Sequence, residues 1–526
     1  MTHLYPSSLV SRLLSQDAYP HATGMIELIE THISWIFLTG DIAYKIKKPC
    51  HFGFLDFSTI EKRKHFCEEE LRLNQRFAPE LYHTVIPITG QPEKAVVGGS
   101  EPPIDWAVQM KQFDRSNQLD LLFDRQALTT SDYEALGRDI ALIQETLTVA
   151  NKRDMWGHST TFLNTVTLNL QQLHEIRPDL DSTLNALGEW FENFVEKYEK
   201  TFQQRKDNQK VRECHGDLHL GNILREGRQF LAFDGIEFNK SLRWIDVASD
   251  VGFLVMDLLA RGKHDFSSRV LNSWIEASDD HASLTLLPLY SAYRAIVRAT
   301  VAAIRWKQLT QNHNQELASE AFDECNHYLT IADNYTARRS PRCFATTGVS
   351  GSGKTNLAGK IIDTCGAVRL RSDVERKRLA GMQPTERPSD ENARRELYSE
   401  ELTLRVYQRL AEIASTVLKA GYNVVIDATY NERQHRAMLS QIAQEHTTPI
   451  TWLEIDIPEE FVLARIAARQ LEDDDASDAS INVARRQLSN RQPITPEELA
   501  GNPGAKHLRL SPWDIETPHS IKTLLS

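Results

Sequence analysis

The 526-residue chain carries 60 Lys and Arg against 72 Asp and Glu, a formal net charge of -12, with 41% hydrophobic and 25% charged residues. This is ordinary globular composition, long enough for at least two cores, and it excludes wholesale disorder and fibrous folds. The acidic balance opposes non-specific adhesion to nucleic acid or acidic membrane, and no run approaches the roughly 18 apolar residues of a membrane helix.

Six scattered cysteines without a C-x-x-C pair signal neither a zinc site nor a disulfide framework, and the N-terminal stretch lacks a basic start leading into an apolar run. A cytoplasmic protein with reduced thiols and no membrane contact is expected. Nothing in the sequence specifies an oligomeric state.

From Met25 to Lys47, apolar stretches interrupted at Thr31-His32 and at Gly40-Asp41 predict three short antiparallel strands, the second break being a two-residue hairpin signal. Phe66, Leu73 and Phe77 recur at helical spacing within 59–77, and VIPI and WAVQMKQF return to strand character. Two stripes, Phe162-Val166-Leu170-Leu173 and Leu184-Leu187-Phe191-Phe194-Tyr198, predict helices, and 284–335 is again helical. An α+β unit with a small strand-rich N-terminal lobe is expected. TARRSPR at 336–342 lacks apolar periodicity and sets the predicted boundary, giving domains 1–335 and 336–526. Beyond it, CFATT, GAVRLRSD, YNVVIDAT and ITWLEIDI alternate with helical stretches, the βαβ signature of a parallel sheet flanked by helices.

In CHGDLHLGNIL, Asp217 and Asn222 stand at D-x-x-x-x-N spacing, and Asp234 follows in FLAFDGIEF. Phosphoryl transfer to an alcohol needs one carboxylate to orient and deprotonate the hydroxyl, and an Asn with a second carboxylate to hold Mg²⁺ against the phosphates. Asp217 fits the first role, and Asn222 and Asp234 fit the others. These residues, with His215 and Gly216, make 25–335 resemble the aminoglycoside phosphotransferase, choline kinase and fructosamine kinase group. The resemblance implies a bilobal protein-kinase-like fold with ATP in the cleft. It also implies a lysine on the third strand, Lys45 or Lys47, contacting the phosphates and paired with a helix glutamate, for which Lys45 with Glu70 is preferred. The Gly-rich phosphate loop of protein kinases is absent, with Thr31-His32-Ile33-Ser34 in its place. The resemblance implies that Asp246 and Asp250 brace the catalytic loop or meet a cationic substrate, with bracing preferred.

Gly348 to Thr355 reads GVSGSGKT, a G-x-x-x-x-G-K-T loop between an apolar strand and a helix. Gly348, Ser350, Gly351, Ser352 and Gly353 are expected to wrap backbone N–H groups round the phosphates, Lys354 to bridge them and Thr355 to take Mg²⁺. Asp373 and Arg376 form D-x-x-R just beyond the next strand, where Asp373 could take the acceptor proton and Arg376 hold substrate or γ-phosphate; helix capping is the alternative for Asp373. Asp427 ends another apolar strand as a Walker-B-like carboxylate, again with capping as the alternative. Arg465 and Arg469 lie one turn apart before the polar run EDDDASDAS, which resembles a lid bringing Arg469 to the phosphates. This half resembles P-loop kinases such as gluconate kinase, the kinase domain of polynucleotide kinase and zeta toxins. The whole chain resembles bacterial proteins in which an aminoglycoside phosphotransferase family domain is fused to a P-loop kinase. The resemblances imply a bifunctional kinase using ATP, with GTP as the alternative, and Mg²⁺. The acceptor is a small-molecule hydroxyl or, at the P-loop half, an RNA or DNA end favoured by the basic run 369–378. The competing expectation is that one half is a regulatory or scaffold module.

Overall fold

Alternating apolar and polar residues between Glu27 and Lys47, broken by two tight turns, leave the chain only a meander. The computed structural model, which describes residues 4–52, 55–384, 386–469, 485 and 487–511, has strands β1 (Glu27–Glu30), β2 (Ser34–Leu38) and β3 (Ile42–Lys47) in that antiparallel order. Gly40 takes φ 114° in the second turn, a conformation closed to most side chains. After β4 (His51–Phe52) and β5 (Leu55–Asp56), α2 (Ile60–Asn74) starts on a Thr59 side-chain cap; α1 is Leu4–Leu13. Strands β6 (Tyr82–Thr89), β7 (Val96–Val97) and β8 (Pro103–Lys111) complete a six-stranded sheet ordered β1-β2-β3-β8-β6-β7.

The period of two sends Tyr44 and Ile46 to one face, where they bury with Leu9 and Leu13 of α1, and Ala43 to the other, where it packs with Cys67 of α2 and Val108. Lys45 and Lys47 therefore share the α2 face with Ala43.

The helical lobe comprises α3 (Leu119–Asp124), α4 (Thr130–Thr146), α5 (Ser159–Ile176), α6 (Asp181–Asp207), α7 (Lys240–Arg243) and α8 (Val247–Ala260). It is punctuated by two short antiparallel pairs, β9 (Val211–Glu213) with β12 (Trp244–Asp246), and β10 (Ile223–Glu226) with β11 (Gln229–Ala232). After α9 (His264–Ser278) come α10 (Leu287–Gln311) and α11 (Gln315–Asn334).

Beyond residue 342, strands β13 (Cys343–Thr347), β14 (Val368–Arg371), β15 (Val424–Asp427), β16 (Ile450–Ile455) and β17 (Lys506–Leu510) form a parallel sheet ordered β14-β15-β13-β16-β17. Helices α12 (Lys354–Cys365), α13 (Ser372–Leu379), α14 (Glu391–Leu397), α15 (Glu400–Lys419), α16 (Arg433–Glu445) and α17 (Glu459–Arg469) alternate with the strands. Every β13 residue is buried, as expected of a central parallel strand covered on both faces.

Contacts divide the chain into two compact units. The first holds the residues up to Asp132, Asp139–Ala260 and Leu289–Tyr335; the second holds Tyr133–Arg138, Arg261–Pro288 and the chain from Thr336 onward. Residues 133–138 and 261–288, placed in the first domain by the sequence reading, thus group with the second. Asn272 on α9 shows why. It is buried, donates Nδ2 to Ala367 O at 3.0 Å and accepts Arg369 N–H at 2.6 Å, so α9 caps the edge strand β14 with a side-chain amide that mimics a strand partner. Arg269, also on α9, pairs with Asp363 at 2.6 Å and with Glu134 at 2.7 Å. No described helix is long and apolar enough to cross a membrane.

Candidate functional site

In the first unit, β1–β3, the end of β8 and the segment after β11 enclose a cleft with about 750 Å³ of empty space, open to solvent. Ile29, Ile36, Ala43, Met110 and Phe233 give it apolar walls, while Lys45, Lys111, Arg115 and Asp234 give it its charges. Lys45 Nζ lies 2.8 Å from Glu70 Oε1 and also meets the Asp234 carboxylate. Lys47, on the same face, is fully buried behind it, 2.7 Å from Glu70 Oε2 and paired with Glu237. Burial alone would depress Lys45, but Asp234 and Glu70 hold it well above the usual lysine range. Glu70 is held low by the two lysines despite its burial.

Asp234 adopts φ 62°, a left-handed conformation costing a non-glycine residue about 1–2 kcal/mol. Two bonds fix it there: its N–H donates to Tyr82 Oη at 3.0 Å, and Gly235 N–H donates to Asn74 Oδ1 at 2.8 Å. The backbone turn leaves the Asp234 carboxylate half exposed in the cleft. Strain held by surrounding bonds is the usual mark of a residue kept for function.

On the loop after β9, Asn222 Nδ2 donates to Asp217 O and Oδ2, both at 3.0 Å, so its Oδ1 is the atom left to meet a cation. Asp217 is opposed by burial but held well below the usual carboxylate range by His219, 3.5 Å away, and by His215 and Arg294. It is therefore an anion ready to accept a hydroxyl hydrogen bond. The loop is fixed from below: buried Asp250 accepts His215 N–H at 3.0 Å and Gly216 N–H at 2.9 Å, Arg294 Nη1 donates to Gly216 O at 2.8 Å, and Asp257 accepts Leu220 N–H at 3.1 Å. Asp246 pairs with Arg205 at 2.6 Å. Both Asp246 and Asp250 thus brace structure. Thr31 to Ser34 is a closed turn, with Ser34 N–H donating to Thr31 Oγ1 at 2.9 Å.

In the second unit, the loop from Gly348 to Gly353 leaves β13, the strand flanked by β15 and β16, where crossovers diverge and ligands of open α/β sheets bind. Gly348, Gly351 and Gly353 take φ of 132°, 84° and 103°. Those positive φ values strain any side chain, and a Cβ on Gly348 or Gly353 would also crowd Ser352 Oγ at 3.2 Å or Arg465 Nη1 at 3.3 Å. Ser352 Oγ is buried without a partner among the described residues. Thr355 is exposed on the first turn of α12.

Asp427 stands opposite Arg371 in the β14–β15 register, and Gly348 N–H donates to Thr429 O at 3.1 Å, so the end of β15 adjoins the loop. Asp427 is 7% exposed yet takes no hydrogen bond from any described residue. A buried carboxylate left in that state suits a cation it would share with phosphates.

A family model described as an AAA domain matches residues 344–494. The second unit is a P-loop nucleotide-binding domain. Across most of the chain, an uncharacterized protein of Mycobacterium tuberculosis (strain ATCC 25618 / H37Rv) is 27% identical over 466 residues, 88% of this chain and 90% of that protein. Among solved structures, a sugar kinase from Janibacter sp. HTCC2649 is 21% identical, covering 35% of this chain and 92% of that one with a TM-score of 0.26. A GDP complex of aminoglycoside 2'-phosphotransferase-IIIa is 14% identical, covering 64% of this chain and 100% of that one with a TM-score of 0.37. The first unit is built from the six-stranded sheet, the helical lobe and the cleft described above.

Several site expectations for the P-loop domain take a different form in the structure. Arg376 is buried, its Nη1 donating to Leu397 O and Thr403 Oγ1, both at 2.9 Å, with its guanidinium over Tyr398. It ties α13 to α14 and α15, so the guanidinium expected at a γ-phosphate is committed elsewhere. Asp373 lies in the first turn of α13, half-buried, two residues beyond the Arg371–Asp427 pairing. Three arginines of the basic run face carboxylates: Arg369 and Arg371 face Glu276 at 3.8 and 3.5 Å, and Arg378 pairs with Glu375 and, at 3.4 Å, with Asp279. The Arg469 side chain and the run 472–480 lie outside the described residues. Its helix neighbour Arg465 donates Nη1 to Ser352 O at 3.3 Å. Sequence reasoning missed Gln487, whose Oε1 accepts Ser350 N–H at 2.8 Å, and Lys354 Nζ donates to Val349 O at 2.8 Å. It also missed Tyr82, Asn74 and Glu237, which no motif marks.

Proposed function

We propose that the chain is a bifunctional phosphotransferase, with an ATP·Mg²⁺ centre in each unit that moves a γ-phosphoryl group to a hydroxyl. The observation that carries this reading is the convergence of Lys45 on Glu70 and Asp234 at the mouth of an apolar cleft, in a unit that also holds the Asp217–Asn222 pair. Lys45 would meet the phosphates, Asn222 and Asp234 would hold Mg²⁺, and Asp217 would orient the alcohol and take its proton as the new P–O bond forms and ADP leaves. In the P-loop domain, Lys354 and Thr355 would take the phosphates and the metal, Asp427 would hold the metal, and Asp373 would serve the acceptor hydroxyl.

The run 369–378 supports a small hydroxyl compound over a polynucleotide end at the P-loop domain, because Arg369, Arg371 and Arg378 face carboxylates and Arg376 is buried. The six free cysteines fit a cytoplasmic location. The test is transfer from labelled ATP to acceptor panels by the intact protein and by Asp217→Asn and Lys354→Ala variants. Each substitution should remove one set of products and spare the other; unchanged products in both variants would sink the reading.

One observation favours a second reading, in which the P-loop domain is regulatory. Gln487 and Val349 hold groups that a phosphate would need, Ser350 N–H and Lys354 Nζ. Under it, Lys354→Ala would alter the rate of the Asp217-dependent reaction and remove no product of its own.

A further inference from the structure

The loop that carries Asp217 also carries a histidine whose two ring nitrogens are spent differently. His219 precedes the short turn Leu220–Asn222, and its Nδ1 accepts Gly221 N–H at 3.1 Å. Accepting that bond leaves Nδ1 without a proton, so the ring carries its N–H on Nε2. Nε2 faces Asp217 Oδ2 at 3.5 Å. The ring is held at that angle by buried Phe253, with centroids 5.4 Å apart, and it roofs Gly221, where a Cβ would come within 3.1 Å of His219 Cε1.

A cap alone does not call for histidine. Asn, Asp and Ser lead at such positions, because a short side chain already reaches the N–H two residues on. What imidazole adds is length: a second polar atom, on the far side of the ring, set against the carboxylate. Asn222 Nδ2 donates to the same oxygen, Asp217 Oδ2, at 3.0 Å. Two donors therefore converge on Oδ2, while Oδ1 takes no hydrogen bond from any described residue, in a side chain that is 36% exposed. Long donor distances at a reacting carboxylate shorten as substrate is enclosed.

We infer that His219 is a positioning residue of the first unit: its Nε2–H, with Asn222 Nδ2, holds Asp217 Oδ2, so that Oδ1 is the oxygen turned to the acceptor hydroxyl. The inference deepens the phosphotransferase reading of this unit and rests on it. In the transfer step the hydroxyl oxygen bonds to the γ-phosphorus as the bond to the β,γ-bridging oxygen breaks, the hydroxyl proton passes to Asp217 Oδ1, and ADP departs. His219 takes no part as an acid or base, because the lone pair that could accept a second proton is engaged by Gly221 N–H.

Two substitutions separate the two ends of the ring. In His219→Asn the side-chain oxygen takes the place of Nδ1, so the cap stays and the donor to Asp217 goes. In His219→Gln the amide reaches the place of Nε2, so the donor stays and the cap goes. Both are made in the full chain carrying Lys354→Ala, and ADP formation from labelled ATP and Mg²⁺ is followed with a panel of sugars, amino alcohols and nucleosides as acceptors. His219→Asn is expected to lower kcat at least about tenfold, the loss of one bond to a charged group, with the KM for ATP unchanged. Hydrogen exchange over 211–223 is expected to keep the parent rate in this variant, so that the fall in kcat is not a loosened loop. His219→Gln is expected to keep kcat within about threefold of the parent. A kcat indifferent to His219→Asn, a fall accompanied by faster exchange, or an equal fall in His219→Gln overturns the assignment and leaves His219 a cap. Failure of the phosphotransferase reading shows separately: the Lys354→Ala chain then forms no ADP, or forms it at a rate that Asp217→Asn leaves unchanged.

Discussion

Replacing Asp250 by Asn is expected to loosen the loop that carries Asp217 without touching the cleft around Lys45. The carboxylate, 1% exposed, accepts two backbone N–H groups, His215 at 3.0 Å and Gly216 at 2.9 Å, each oxygen serving one. The amide keeps one acceptor and turns a donor toward the other N–H. One charge-assisted bond of about 1.5–3 kcal/mol is lost and the other weakens to a neutral bond, for a total near 3 kcal/mol. At about 1.4 kcal/mol per factor of ten, that is roughly 100-fold in the local opening equilibrium. Hydrogen exchange followed by mass spectrometry reads it directly: peptides covering 211–223 should exchange about 100-fold faster, while those covering 343–371 should not change. The rate of the Asp217-dependent reaction should fall with nucleotide affinity preserved. Unchanged exchange in 211–223 would refute the reasoning, because the two bonds would then not be what holds the loop.

Lys45→Ala should abolish nucleotide binding in the first unit, measured with a fluorescent ATP analogue. Lys47→Met should instead lower stability by about 3–5 kcal/mol in denaturant titration, because it leaves Glu70 and Glu237 buried with one counter-charge fewer. Gln487→Ala should tighten nucleotide binding at the P-loop about fivefold, the equivalent of one hydrogen bond of about 1 kcal/mol no longer competing for Ser350 N–H; weaker binding would show that Gln487 assists the ligand. Asn272→Ala should speed exchange of 367–371, since Ala367 O and Arg369 N–H lose their shared partner. Burial holds the His215 imidazole below its usual value. Its unfolded form therefore takes up a proton first as pH falls, and the contribution of His215 to stability is full above about pH 6.5 and declines below it. The melting temperature of the first unit should drop between pH 7 and 5, and a flat profile would contradict this.

Motifs whose chemistry is local in sequence were legible before any coordinates: the phosphate loop from Gly348 to Thr355, the Asp217–Asn222 spacing, the Gly40–Asp41 hairpin. Each is set by backbone conformation within a few residues. Lys45 and Lys47 were not separable, because a period of two puts both on one face and only the position of Asp234 on the cleft side distinguishes them. Arg376 looked like a phosphate ligand from its helical offset to Asp373, yet α14 and α15, which the offset cannot see, cover it. The basic run looked like a free cationic surface because Glu276 and Asp279, which face three of its arginines, lie about a hundred residues upstream. The same separation hid the grouping of 261–288 with the P-loop domain.

Two nucleotide sites in one chain can be counted. Equilibrium dialysis of the intact protein against ATP and Mg²⁺ should give two nucleotides bound per chain, one in Lys45→Ala, one in Lys354→Ala and none in the double variant. A stoichiometry of one that survives either single substitution would contradict the proposed pair of centres.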